Sequence, residues 1–196
     1  MRKLLTTTVV TALLAVACTA NAAIITHTDS IAIDSTNWTD GMDIPKFDPS
    51  LGTLNSVTFT LTGDVVGSAA YESWDAEPAT ITLNLGAVIR LKRPDNSIIW
   101  ISVPTVSVTE GAAAFDLTTD FDGDSGSTFN NLTATDTTSV TSSTPADKAL
   151  FTGAGNIVLP TMASGASNGS GAGNLVQKFQ TKAGASLIVE YDYTVP

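Results

Sequence analysis

Val57, Phe59 and Leu61 alternate with Thr58, Thr60 and Thr62 without a break. An extended chain with that period turns its apolar groups to one face and its threonines to the other. An α-helix would scatter both around its circumference. The pattern returns at Ile81, Leu83 and Leu85, with Thr80, Thr82 and Asn84 between them, and again at Leu187, Val189, Tyr191 and Tyr193. Less regular strands are expected over residues 24–33, 87–93, 98–103, 112–118, 132–140, 156–159 and 175–181, for a total of about ten. No segment sustains a 3.6-residue period for three turns. A short helix is expected only around residues 146–150, where Pro145 can open it. Pro94-Asp95-Asn96 reads as the turn of a β-hairpin. Many short antiparallel strands with frequent turns predict an all-β protein, and irregular connections favour an antiparallel β-sandwich over an up-and-down barrel. Between a jelly-roll and an Ig-like topology the pattern does not choose.

Composition agrees with the pattern. The 196 residues include 30 threonines and 18 serines, while only 14% are charged. Straight-chain charged residues that favour helices are correspondingly scarce. Against 9 basic residues stand 19 acidic ones, a net charge of −10. Binding to nucleic acid or anionic lipid needs clustered Lys and Arg, so neither is an expected partner. One Cys and one His exclude a disulfide framework and any multi-His or Cys metal site.

The first 22 residues read as a signal peptide. Arg2 and Lys3 form a basic start, an apolar stretch follows, and Ala20-Asn21-Ala22 offers small residues for cleavage after Ala22. The apolar stretch is too short to span a membrane, and no later run is long enough either. Ala15-Val16-Ala17-Cys18 loosely resembles a lipobox, which would lipidate Cys18 instead. Cleavage after Ala22 leaves one domain, residues 23–196, secreted or held at a bacterial cell surface. It has no cysteine and only its core to stabilise it. A domain of that size buries roughly 70% of its unfolded surface, enough for the purpose. Residues 163–174, rich in Gly, Ser and Ala, are expected to be a long surface loop.

Several separated motifs carry a resemblance. Ser35-Thr36-Asn37-Trp38, Phe47-Asp48-Pro49-Ser50-Leu51-Gly52-Thr53-Leu54-Asn55-Ser56-Val57, Ala149-Leu150-Phe151-Thr152-Gly153 and Gly169-Ser170-Gly171-Ala172-Gly173-Asn174-Leu175 occur in that order. Together they resemble the signature of the choice-of-anchor E domain. The resemblance implies an exported bacterial domain of unsettled function, from a family whose members often end in a PEP-CTERM tail. It implies no catalytic residues. Tyr193-Thr194-Val195-Pro196 shows no Pro-Glu-Pro motif and no apolar tail, so C-terminal anchoring is not expected.

The candidate sites are few. Asp120, Asp122 and Asp124, followed by Gly126, alternate as a calcium loop would, and calcium prefers six to eight oxygen ligands. The twelfth position from Asp120 is Asn131 rather than Glu, so an EF-hand is excluded. A plain acidic turn is the competing reading. Trp74, in the polar setting Tyr71-Glu72-Ser73-Trp74-Asp75, is the candidate for stacking on a sugar ring. Trp38 and Trp100 are expected to pack inside. His27 would have to serve any Ser-His-Asp triad, and is read as a solvent-facing strand residue. Glu72, Asp75, Glu77 and Glu110 are available to a glycosidase, but nothing marks a pair among them. No enzyme activity is therefore expected. The expected role is structural, with the chain associating with itself into a filament or matrix, or with extracellular polysaccharide. Residues 24–33 could pair inside their own sandwich or on a neighbour's sheet edge. The alternative role is a secreted carbohydrate- or ligand-binding module.

Overall fold

The computed structural model describes residues 21–196. Most of the expected signal peptide, including Cys18, lies outside the described residues. Ten strands form two antiparallel sheets: β1 (Ala22–Ser35), β2 (Trp38–Pro45), β3 (Thr53–Ser73), β4 (Ala79–Lys92), β5 (Ile98–Ser102), β6 (Thr105–Ala112), β7 (Gly126–Ser142), β8 (Asn156–Gly165), β9 (Asn168–Ser170) and β10 (Leu175–Thr194). One helix, α1 (Pro145–Phe151), sits between β7 and β8. It has Pro at its first position and Thr144 as N-cap, whose hydroxyl accepts from the Asp147 N–H. The first sheet has the order β1-β10-β3-β7. The second runs β2-β8-β4-β5, with β6 and β9 also paired to β4. The expected all-β sandwich is thus observed.

The core follows directly from the alternation. Val57, Phe59, Leu61 and Val65 from β3 and Leu187, Val189 and Tyr191 from β10 point inward. They meet Leu85, Ile89 and Leu91 from β4 and Leu159 from β8. Each such side chain contributes about 1.5–3 kcal/mol on leaving water. Phe151, at the end of α1, packs edge-on against Phe59 with ring centroids 5.1 Å apart. A smaller cluster of Ala69, Tyr71, Ile81, Leu83 and Ala112 fills the other end. On the outer face, the β3 threonines bond to hydroxyls of β7, as in Thr58–Thr141 at 2.8 Å and Thr62–Thr137 at 2.9 Å.

Several expected boundaries are corrected. Residues 81–85 and 87–93 belong to one strand, β4, which changes partners at Gly86. Before that point it pairs with β6 and β9, after it with β5 and β8. Residues 175–181 and 187–193 likewise belong to β10 alone. The strand expected at 112–118 is not formed: β6, which was not expected, ends at Ala112. Residues 113–125 form a loop in which Leu117 takes a positive φ and is 85% exposed. β2 was not anticipated because its exposed residues Asp40, Gly41 and Asp43 are poor strand formers. The stretch 163–174 is not one loop: β8 extends to Gly165 and β9 adds a short strand on β4.

Trp100 is also corrected. It is 37% exposed rather than buried, because the β4–β5 register shifts between Leu91 and Lys92. The extra residue of this bulge lets Ile99 take the core position. Trp38 packs against the core as expected and donates from Nε1 to the Ala183 carbonyl at 2.9 Å. Residues 24–33 pair within their own sheet, where β1 lies along β10.

Candidate functional site

At the end of the sandwich where β3 passes to β4, three connections meet: residues 74–78, 113–125 and 171–174. Two carboxylates tie them together. Glu72, buried in the last turn of β3, accepts from Ser125 Oγ at 2.6 Å and from the Phe121 N–H at 2.9 Å. Asp75 accepts from the Gly173 N–H at 2.7 Å, the Asn174 N–H at 3.0 Å and Asn174 Nδ2 at 3.1 Å. The Gly173 N–H, above all, holds the Asp75 carboxyl below its ordinary range. Both acids act as staples for loops. Burial, and after it the Glu110 carboxylate, pushes the neighbouring Tyr71 phenol upward.

Trp74 stands on this end and is half exposed. Its Nε1 donates to Thr119 Oγ1 at 3.1 Å, and its ring leans on Phe115 with centroids 6.1 Å apart. The structure therefore brings Trp74 next to the acidic loop, although the two are remote in sequence. Asp120 and Asp122 turn their carboxylates back onto the loop. Asp120 accepts from the Asp122 N–H at 3.1 Å, and Asp122 from the Gly123 N–H at 2.9 Å. The Asp124 carbonyl accepts from the Ala113 N–H at 2.8 Å. Among the described residues no group of three His, Cys, Asp or Glu side chains is gathered to hold a metal ion. Asp120 also shares an open groove with Lys178, Asn130 and Gln180 on the outer face of the first sheet.

His27 is elsewhere and is not solvent-facing. It is half-buried on β1, edge-on to Tyr191 with centroids 5.7 Å apart. His27 pairs with Val189, which pairs with Phe59, whereas Glu72 ends the same strand β3. About 40 Å of strand thus separates the imidazole from the acidic loop. The Tyr191 phenol donates to the Pro45 carbonyl at 2.8 Å, and burial drives its pKa up.

One cluster gave no sequence signal. Arg93 Nε and Nη2 donate to the two carboxylate oxygens of Asp147, at 2.7 and 2.9 Å. This is the ion pair present among the described residues, and it ties the end of β4 to α1. The Arg93 guanidinium, helped by Ser142 Oγ, holds the Asp147 carboxyl below its ordinary range.

The second feature is the free edge of β1. Asn21 accepts from the Val195 N–H, so the odd-numbered residues at this end direct their backbone groups to β10. The Ser30 N–H instead bonds its neighbour's side chain, Asp29 Oδ1, at 2.7 Å. The even residues Ile24, Thr26, Thr28 and Ser30 therefore face away from the sheet. No Lys, Arg or Pro interrupts residues 22–34, and the register is unbroken from Ala22 to Ile31. Two other edges carry side-chain bonds. On β2, the N–H groups of Asp43 and Gly41 are capped by Asp29 and Asp40. On β7, Asp136 and Thr138 bond to Ser102 and Ile101 of β5.

No helix among the described residues is long and apolar enough to cross a membrane. No family model matches the chain, and no curated protein matches it. Among solved structures it is similar to chains from structures of infectious bursal disease virus. For the Gx strain structure the TM-score is 0.26 at 12% identity, with 90% of this chain and 38% of that chain covered. For the T13 viral particle the TM-score is 0.25 at 13% identity, with 90% and 38% covered. For the VP2 subviral particle it is 0.24 at 13% identity, with 91% and 37% covered. The chain thus spans well under half the length of the viral chains it matches.

Proposed function

We infer that this chain is a non-catalytic structural domain that works outside the cell, associating with copies of itself or with extracellular polysaccharide. The observation that carries the reading is the open edge of β1. Over residues 22–31, a row of outward backbone N–H and C=O groups without lysine, proline or bulge is a template for another strand. The acids support the same reading from the other side. Glu72, Asp75 and Asp147 are each committed to holding loops or a helix, and His27 has a tyrosine as its neighbour. The choice-of-anchor E resemblance and the expected signal peptide agree with a place outside the cell. Because β1 is paired to its own β10, a neighbour would add to the sheet rather than supply a missing strand.

The test is fractionation of cells that make the native chain, followed by immuno-electron microscopy. Antibody decorating fibres or a surface matrix is expected. Chain found dispersed and monomeric in the medium would overturn the reading. Quenching of Trp74 fluorescence by an oligosaccharide would then favour a soluble binding module.

A further inference from the structure

The geometry points to a two-fold contact in which β1 of one copy pairs antiparallel with β1 of a second copy, centred on Thr28. This rests on the self-association reading above and specifies its edge, register and symmetry. The segment Ile24-Ile25-Thr26-His27-Thr28-Asp29-Ser30-Ile31-Ala32 is chemically symmetric about Thr28. Folded onto a reversed copy of itself, Thr28 meets Thr28 and Thr26 meets Ser30. His27 meets Asp29, Ile25 meets Ile31, and Ile24 meets Ala32. A two-fold interface requires self-complementarity of this kind, since each residue's partner must accept it in return.

The backbone parity fits this register. Thr28, Thr26, Ser30 and Ile24 are the residues whose N–H and C=O groups face outward, and they fall at the hydrogen-bonded pairs. His27–Asp29 and Ile25–Ile31 fall at the intervening pairs, where the backbones come closer and side chains touch. A shift of one residue would oppose outward groups to inward ones. A shift of two would centre the contact on His27 or Asp29, set that residue against its own copy and separate the imidazole from the carboxylate.

Hydrogen-bond complementarity selects a second copy as the occupant. In the lone chain Asp29 Oδ1 accepts from Ser30 N–H, while Asp29 Oδ2 accepts from Asp43 N–H at 2.6 Å. In the pair the Ser30 N–H turns to the Thr26 carbonyl of the second copy. Asp29 Oδ1 is then free to accept an N–H from the second copy's imidazole. No acceptor is orphaned. Ile24, 65% exposed in the lone chain, gains a neighbour on the outer face. The product is one continuous eight-stranded sheet across two chains. Such a contact closes on itself, so a filament would need a second interface as well.

The experiment uses the natively processed chain, studied by sedimentation and by engineered disulfide trapping. The described residues contain no cysteine, so introduced thiols report cleanly. Hydrogen-bonded antiparallel pairs hold their Cα atoms at about 5.5 Å, within disulfide reach. Thr28→Cys is expected to cross-link to itself on mild oxidation. Thr26→Cys alone should not, and the double variant Thr26→Cys/Ser30→Cys should. Thr28→Pro removes an outward N–H without touching the β10 ladder, and should raise the dimer dissociation constant at least tenfold. Circular dichroism confirms that this variant keeps its sheets. If the native chain associates but Thr28→Pro and the cross-linking pattern do not discriminate, this edge is wrong while self-association stands. If the native chain remains monomeric at high concentration, both this contact and self-association fail.

Discussion

Replacing Arg93 by methionine should be among the costliest single changes outside the core. The side chain of Asp147 is only 4% exposed, and Arg93 meets both its oxygens. Methionine keeps the stem but removes the cation, leaving a buried carboxylate with Ser142 Oγ as its remaining side-chain donor, at 2.5 Å. Breaking a buried pair from one side costs about 3–5 kcal/mol. The Arg93 side chain is 26% exposed, so water already shares the guanidinium and the cost is discounted to the bottom of that range or just below it, about 2–3 kcal/mol. For a domain of this size the melting midpoint should fall by about 5–10 °C. The effect has a pH signature. The Asp147 carboxyl sits below its ordinary value in the folded chain and at that value when unfolded. Its stabilising contribution is therefore complete above about pH 4 and is lost as pH falls through the lower folded value. Urea unfolding of both chains from pH 7 to pH 3 should show a gap that narrows only at the acid end. A variant melting within about 1 °C of the parent at pH 7, or a gap unchanged at pH 3, would refute the assignment.

Three further outcomes are expected. Glu72→Ala removes the acceptor for Ser125 Oγ and the Phe121 N–H. It should cost about 2–3 kcal/mol and speed hydrogen exchange across residues 113–125, read by mass spectrometry. Gly67→Ala places a methyl group against the Gln180 carbonyl of β10, and should destabilise by about 1–3 kcal/mol in urea unfolding. Because Asp120 and Asp122 already serve their own loop, millimolar calcium should move the melting midpoint by no more than about 1 °C relative to chelator. A larger rise would show the loop rearranging around the ion.

The strands that were plain in the sequence are those with one buried face. In β3, Val57, Phe59 and Leu61 are buried and the threonines between them partly exposed, so the pattern and the packing coincide. The same holds for the apolar positions of β4 and β10. Edge strands were harder to read. β2 buries only Met42 and Ile44, and its remaining residues answer to the turn at one end and solvent on one side. Strand joins were missed where a glycine is needed for closeness rather than for a turn. Gly86 and Gly184 look like breaks in sequence, yet both lie inside long strands. At Gly184 a side chain would run into Ile33 of β1. Trp100 was misread because a bulge is invisible in a period-two pattern. For the loop end, Trp74 and the aspartates were visible one by one. Their adjacency was not, since it depends on Glu72 and Asp75 reaching across the chain to Ser125, Phe121, Gly173 and Asn174.

The order β1-β10-β3-β7 also governs when this protein can fold. β1 is made first and β10 last, yet β10 is the strand between β1 and β3. Until the twenty residues of β10 arrive, β1 has no strand to lie on and β3 has one long edge bare. The sheet therefore cannot grow in step with a chain emerging from a ribosome or a translocation channel. It closes in a late event, after a search over nearly the full contour of the chain, which is the kind of topology that folds slowly. During that interval the bare inner edge of β3 would be open to the β10 of another molecule. Refolding yield should accordingly fall with protein concentration even where the finished protein is stable.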